Sequence, residues 1–123
     1  MYSKEEFNQY LESIGGLVNG FYPDRDLIKD CDFCDVNIGW YGLIKDLISE
    51  LIAAGWDKQI CQIKEKFGGL RFYPNSMNEE CWNLITKYEE LSEKTCEKCG
   101  KSDDSVLLRN ESWLVTLCDE CYE

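Results

Sequence analysis

The chain has 123 residues, a formal net charge of −11, 44% hydrophobic and 13% aromatic residues, and eight cysteines. That describes one domain, or one domain with a small appendage, with enough apolar content for a modest core. Histidine is absent, which excludes histidine-based triads and histidine-ligated catalytic zinc, and so acidic a chain repels nucleic acid unless a basic patch stands apart.

No apolar run reaches 18 residues, so no membrane span is expected. The polar start Met1-Tyr2-Ser3-Lys4-Glu5-Glu6 is not the pattern of a secretory signal. A cytoplasmic location is expected, with the cysteines kept as thiols or metal thiolates rather than as a disulfide scaffold.

Ser3-x-x-Glu6 forms a capping box ahead of a first helix that shows Phe7, Tyr10, Leu11 and Ile14 on one face and stops at Gly15-Gly16. Residues 17–26, broken by Gly20 and Pro23, read as a loop or a short strand. Cys31 and Cys34 make a C-x2-C pair among aspartates. Ordinary loop cysteines, half of an intermolecular metal site and a redox pair all remain open for it. From Leu43 to Ala54 the apolar residues Leu43, Ile44, Leu47, Ile48, Leu51 and Ile52 form the broad stripe of a buried helix, closed by Gly55.

Residues 58–73 read as a hairpin turning at Gly68-Gly69. That turn sets Lys66 opposite Arg71 and Lys64 opposite Tyr73. Cys61, Ile63, Phe67, Leu70 and Phe72 then share the core face, while Lys64, Lys66, Arg71 and Tyr73 share the other. Glu65 falls on the apolar face, which predicts a bulge or a surface-edge position there. Pro74 ends the second strand. Ser76-x-x-Glu79 reads as a second capping box, starting a helix to about Glu93 with Met77, Cys81, Leu84, Ile85, Tyr88 and Leu91 inward.

The most specific signal is C-terminal. Cys96-x2-Cys99-Gly100 is answered by Cys118-x2-Cys121, a spacing suited to one tetrahedral zinc held by four thiolates. Such a closed ligand set leaves no open position for water, so the Zn2+ is expected to be structural, one per chain. Between the pairs, Val106–Arg109 and Trp113–Leu117 read as strands joined by Asn110-Glu111-Ser112. Trp113 is expected to pack over this hairpin; left exposed, it would make a binding hot spot. Lys98 and Lys101 stand beside the thiolates, where they offset negative charge.

Two cations facing each other across a strand pair repel. A phosphate-bearing ligand would neutralise Lys64, Lys66 and Arg71, with Tyr73 stacking on a base. Glutamates of the 76–93 helix, or of a second subunit, offer the same cations a counter-charge that would leave only a solvated face. No nucleophile has a recognisable orienting residue, and no phosphate-cradling Gly-rich motif precedes a helix, so catalysis is not expected.

The run Lys64-Glu65-Lys66-Phe67-Gly68-Gly69-Leu70-Arg71-Phe72-Tyr73, the helix after it, then Cys96-x2-Cys99-Gly100 and Leu117-Cys118-x2-Cys121, resembles a family of small uncharacterised phage and prophage proteins. The similarity covers roughly residues 39–121, and the decapeptide is its specific part. Some members end in histidine where this chain has Cys121, which fits metal ligation at that position. The family brings no activity with it; small accessory phage proteins often act against host defences in the bacterial host cytoplasm, by sequestering a nucleotide signal or by blocking a protein, and that analogy favours binding over catalysis.

The fold expected is α+β: a small β-hairpin sheet on two or three helices over residues 1–93, with a zinc-ribbon-like module over 94–123 docked on it. The function expected is non-enzymatic capture of an anionic, nucleotide-like ligand by Lys64, Lys66, Arg71 and Tyr73, completed in one version across a homo-oligomer. Alternatively, the chain is an acidic, zinc-stabilised module that inhibits a basic host protein through its glutamate-rich helix. Direct nucleic-acid binding by the zinc ribbon is the least expected, because Asp103, Asp104, Glu111, Asp119, Glu120 and Glu123 oppose it.

Overall fold

A computed structural model describes residues 3–19, 34–76, 78–110 and 112–122. Residues 20–26, Cys31, Met77, Glu111 and Glu123, which carry some of the expectations above, lie outside the described residues; Cys34 and Asp35 enter only through their backbone. The architecture is α+β, with two small sheets and, among the described residues, four helices. No helix among the described residues is long and apolar enough to cross a membrane.

Helix α1 (Lys4–Ser13) opens on the expected capping box: the Glu6 N–H donates to Ser3 Oγ at 3.1 Å and the Ser3 N–H to Glu6 Oε1 at 3.3 Å. At its other end the Lys58 ammonium donates to the Ile14 carbonyl at 2.7 Å, where the helix dipole favours a cation. Helix α2 (Tyr41–Ala53), entered through a 3-10 turn at Ile38–Trp40, lies between α1 and α3 (Glu79–Ser92). Trp40, Ile44, Leu47, Ile48 and Leu51 are wholly buried, while Leu43 and Ile52 pack at the margin of the core. Phe7 of α1 stacks on Tyr41 with ring centres 4.9 Å apart.

The main sheet is built on β3 (Gln59–Lys66). β4 (Gly69–Pro74) pairs antiparallel along one edge, while the two-residue strands β1 (Val18–Asn19) and β2 (Cys34–Asp35) pair parallel with it elsewhere. The hairpin turns one residue earlier than its Gly-Gly dipeptide predicts. Phe67 and Gly68 take successive positive φ values, 54° and 79°, as a primed two-residue turn demands, and Gly69 is already a strand residue opposite Lys66. Phe67 is therefore not core but 67% exposed. Arg71 faces Lys64 rather than Lys66, and Tyr73 faces Gln62. Each partner slides by two residues, so Ile63, Leu70 and Phe72 stay on the core face and Lys64, Lys66, Arg71 and Tyr73 on the other.

The irregularity falls at Cys61, between Ile60 and Gln62, and not at Glu65. It turns Ile60 into the core in place of Cys61, which stays half-buried. Glu65 keeps register opposite Leu70, and its carboxylate caps the turn by accepting the Gly68 N–H at 2.6 Å.

Helix α3 begins two residues later than the second capping box predicts. Asn78 is the cap, its side chain accepting the Cys81 N–H at 2.8 Å, whereas the Ser76 hydroxyl reaches Asp57. Asparagine caps as well as serine does, and it stands directly before the acidic first turn. Cys81, Ile85 and Tyr88 face inward as expected, but Ser92 is buried and Leu91 is exposed. The Leu70 N–H donates to Ser92 Oγ at 2.9 Å and the Phe72 N–H to Glu89 Oε2 at 3.1 Å. Two side chains of α3 thus take over the hydrogen bonding of the β4 edge.

Candidate metal centre

Strands β5 (Leu107–Asn110) and β6 (Leu114–Leu117) form the second sheet, with Leu107 opposite Leu117 and Arg109 opposite Val115, and α4 (Asp119–Tyr122) follows. The first cysteine pair sits in a tight turn in which the Gly100 N–H donates to the Cys96 carbonyl at 2.9 Å. Gly100 holds φ 79° there, a conformation glycine adopts without a Cβ penalty. Cys118 precedes α4, and one turn of helix carries Cys121 back to the same place. The Sγ atoms of Cys96, Cys99, Cys118 and Cys121 all lie within 4.8 Å of one another. Cys96 and Cys118 are buried with Val106, Val115 and Leu117, and Cys99 and Cys121 are half-buried.

This donor set fits a metal. The Cys99 and Cys118 sulfurs are 3.7 Å apart, and a tetrahedron with metal–sulfur bonds of about 2.3 Å has edges of about 3.8 Å. All four are free thiols rather than disulfides. Burial raises the Cys96 thiol, but the backbone N–H groups of Cys118, Cys99 and Lys98 outweigh it and bring the group down to about 7. Burial and the neighbouring sulfurs push Cys121 up to about 12. Four crowded thiols resist ionising together, and a cation among them would hold all four as thiolates.

Charged neighbours fasten the segment. Arg109 donates to the Ser105 carbonyl at 2.7 Å and to Asp119 Oδ1 at 2.8 Å, with its guanidinium 4.5 Å from the Tyr122 ring centre. Lys101 pairs with Glu120 at 3.0 Å. Hydrogen bonds to backbone carbonyls tie the segment to the rest of the chain. The Gly39 N–H donates to the Glu97 carbonyl at 2.8 Å, the Trp40 indole to the Thr95 carbonyl at 2.8 Å, and the Thr116 hydroxyl to the Gly68 carbonyl at 2.6 Å. A Cβ on Gly39 would overlap the Cys96 and Glu97 carbonyl oxygens, so only glycine permits that approach.

Lys64, Lys66, Arg71 and Tyr73 share one face of β3–β4, with Lys64 and Arg71 directly paired. The Lys64 ammonium stands 5.9 Å from the Tyr73 ring centre, and Lys66 is 5.7 Å from that of Phe67. Among the residues whose side chains are described no carboxylate lies within 4.0 Å of either lysine, and Asp35, which pairs with Lys64 from β2, enters only through its backbone. Arg71 donates to the Leu70 carbonyl at 2.9 Å and acts on Glu89 from a distance. The cavities bordered by Trp56 and Ser76, by Leu43 and Gly100, and by Asn37 and Trp113 include none of these four side chains. A ligand there would lie across an open strand pair.

Two features escape the sequence. Trp113 does not pack over the metal hairpin; it is 67% exposed. Glu97, between two metal-type cysteines in what reads as a solvated turn, is only 1% exposed. Its Oε2 accepts the Thr116 N–H at 2.6 Å and Oε1 receives the Asn37 amide at 3.4 Å. Burial raises its pKa above the ordinary carboxylate value, the Thr116 bond lowers it, and the charge of Glu65 raises it. No residue pattern announces this burial, because Thr116 and Asn37 are far from Glu97 in sequence.

Comparison with protein-family models, curated proteins and solved structures finds no match for this chain.

Proposed function

We propose that the protein is a non-enzymatic binding protein in which a structural Zn2+, held by Cys96, Cys99, Cys118 and Cys121, fixes a sheet face that captures an anionic, nucleotide-like ligand. The observation that carries this is the direct pairing of Lys64 with Arg71 on the face shared with Lys66 and Tyr73, with no carboxylate within 4.0 Å of either lysine among the side chains described. Facing cations repel, and an anion between them turns that repulsion into attraction. Tyr73 adds a surface on which a base stacks, worth about 1–3 kcal/mol per base in comparable sites. The resemblance to phage and prophage proteins suits sequestration of a nucleotide signal in the bacterial host cytoplasm, and a second copy of the chain could enclose a ligand that one open face leaves half-solvated.

Calorimetry against linear and cyclic nucleotides tests this. Binding should weaken about tenfold or more in each of Lys64→Ala, Lys66→Ala and Arg71→Ala, since a charge-assisted hydrogen bond contributes about 1.5–3 kcal/mol. No binding across the panel, or binding untouched by these substitutions, would retire the proposal.

A further inference from the structure

On the opposite face of the β3–β4 hairpin, Asn37, Glu65, Glu97 and Trp113 line, with Val36, a cavity of about 200 Å³. That is the space of roughly six or seven waters, enough for the end of one long side chain. Two of the walls are carboxylates. Glu65 accepts the Gly68 N–H and Glu97 accepts the Thr116 N–H, and among the described residues neither has a basic side chain within 4.0 Å. A carboxylate as buried as Glu97 is ordinarily matched by a cation. Among the described residues no such cation stands beside it, and its side chain borders the cavity.

The geometry points to a basic side chain of a partner polypeptide, an arginine or a lysine, entering this cavity between Glu65, Glu97 and the Trp113 ring. Two carboxylates offer too few oxygens for a hard metal ion, which takes six or more, and Asn37 turns its amide nitrogen toward Glu97. Trp113 supplies the ring face that attracts an organic cation most strongly. Exposed apolar side chains lie close by. Phe67 is 67% exposed beside Gly68, and Leu108, which is 55% exposed, packs on that same glycine. Tryptophan and arginine are among the residues in which protein-binding hot spots are enriched, and exposed apolar side chains beside them add area to bury. The net charge of −11 draws a basic partner toward it. The inference is independent of the anion site, whose residues point from the other side of the strand pair.

The test follows the Trp113 indole resonance of the zinc-loaded full chain by NMR, assigned with Trp113→Phe, during titration with N-acetyl-arginine amide, N-acetyl-lysine amide and the uncharged N-acetyl-citrulline amide. A saturable shift with a cationic probe is expected. Citrulline should bind at least about tenfold more weakly, and Glu65→Gln, which can still accept the Gly68 N–H, should weaken the cationic probe by a similar factor. Short peptides that place leucine or phenylalanine beside the basic residue should bind more tightly than the capped amino acid. The inference is overturned by the absence of a saturable shift, by citrulline binding as well as arginine, or by a Glu65→Gln variant that binds unchanged. Peptides no tighter than the single capped residue would overturn the assignment to a polypeptide partner. Glu97→Gln removes the second wall charge and should weaken the cationic probe likewise, with Glu65→Gln deciding the test should Glu97→Gln disturb the fold.

Discussion

Phe67 and Glu89 show how single residues carry strain and charge in this fold. Phe67 holds a φ of 54° in the hairpin turn while most of its ring faces water. The left-handed region disfavours an L residue by about 1–2 kcal/mol, so Phe67→Gly should raise the urea midpoint by the equivalent of about 1 kcal/mol. An unchanged or lower midpoint would mean that the ring contributes packing its exposure does not reveal. Glu89 accepts the Phe72 N–H, yet its pKa is raised, because burial outweighs both that bond and the pull of Arg71. A carboxyl whose folded pKa lies above its unfolded value contributes stability at acid pH and loses it as pH rises through the folded pKa. Glu89→Gln keeps an acceptor for Phe72 without the charge. Thermal melts should therefore place the variant above the parent at pH 7, with the gap closing at about pH 4 and below. A gap that widens in acid would reverse this assignment.

At the scale of elements, how legible the chain is depends on how local each signal is. The stripe from Leu43 to Leu51 specifies a buried helix by its own period, and α2 has its core residues where that period puts them. The two C-x2-C pairs bring four sulfurs together for a similar reason: each pair is a local turn, and one short hairpin joins them. The β3–β4 register departs from the expected one because Gly68-Gly69 supplies two residues tolerant of positive φ, and sequence alone does not show that Gly68 is pinned by the Thr116 hydroxyl and by Leu108. Tertiary contacts from the C-terminal hairpin thus choose the turn. The exposure of Trp113 and the burial of Glu97 were hidden for the same reason.

The edge of β4 was also unreadable, since Ser92 and Glu89 look like the polar side of a helix until the Leu70 and Phe72 N–H groups are seen to need them. Removing the hydroxyl with Ser92→Ala leaves the buried Leu70 N–H without its partner. Stability should fall by about 1–3 kcal/mol, read from urea denaturation. A loss within a few tenths of a kcal/mol would mean that the edge is satisfied in another way.

For the whole molecule, the segment that carries the cysteine cluster is tied to the main sheet and to the start of α2. Glu97 and Cys96 lie against Gly39 at the entrance to α2, Thr116 holds the hairpin turn, and the cavity beside Trp113 draws its walls from both parts. The basic face and the acidic cavity occupy opposite sides of the same strand pair, so losing the metal should disturb both. The measurement that tests this most directly is elemental analysis of the reduced, purified chain, followed by thermal melting with and without a zinc chelator. The account predicts one zinc per chain and a large fall in melting temperature on chelation; material free of zinc, with a melt that the chelator leaves unchanged, would contradict it.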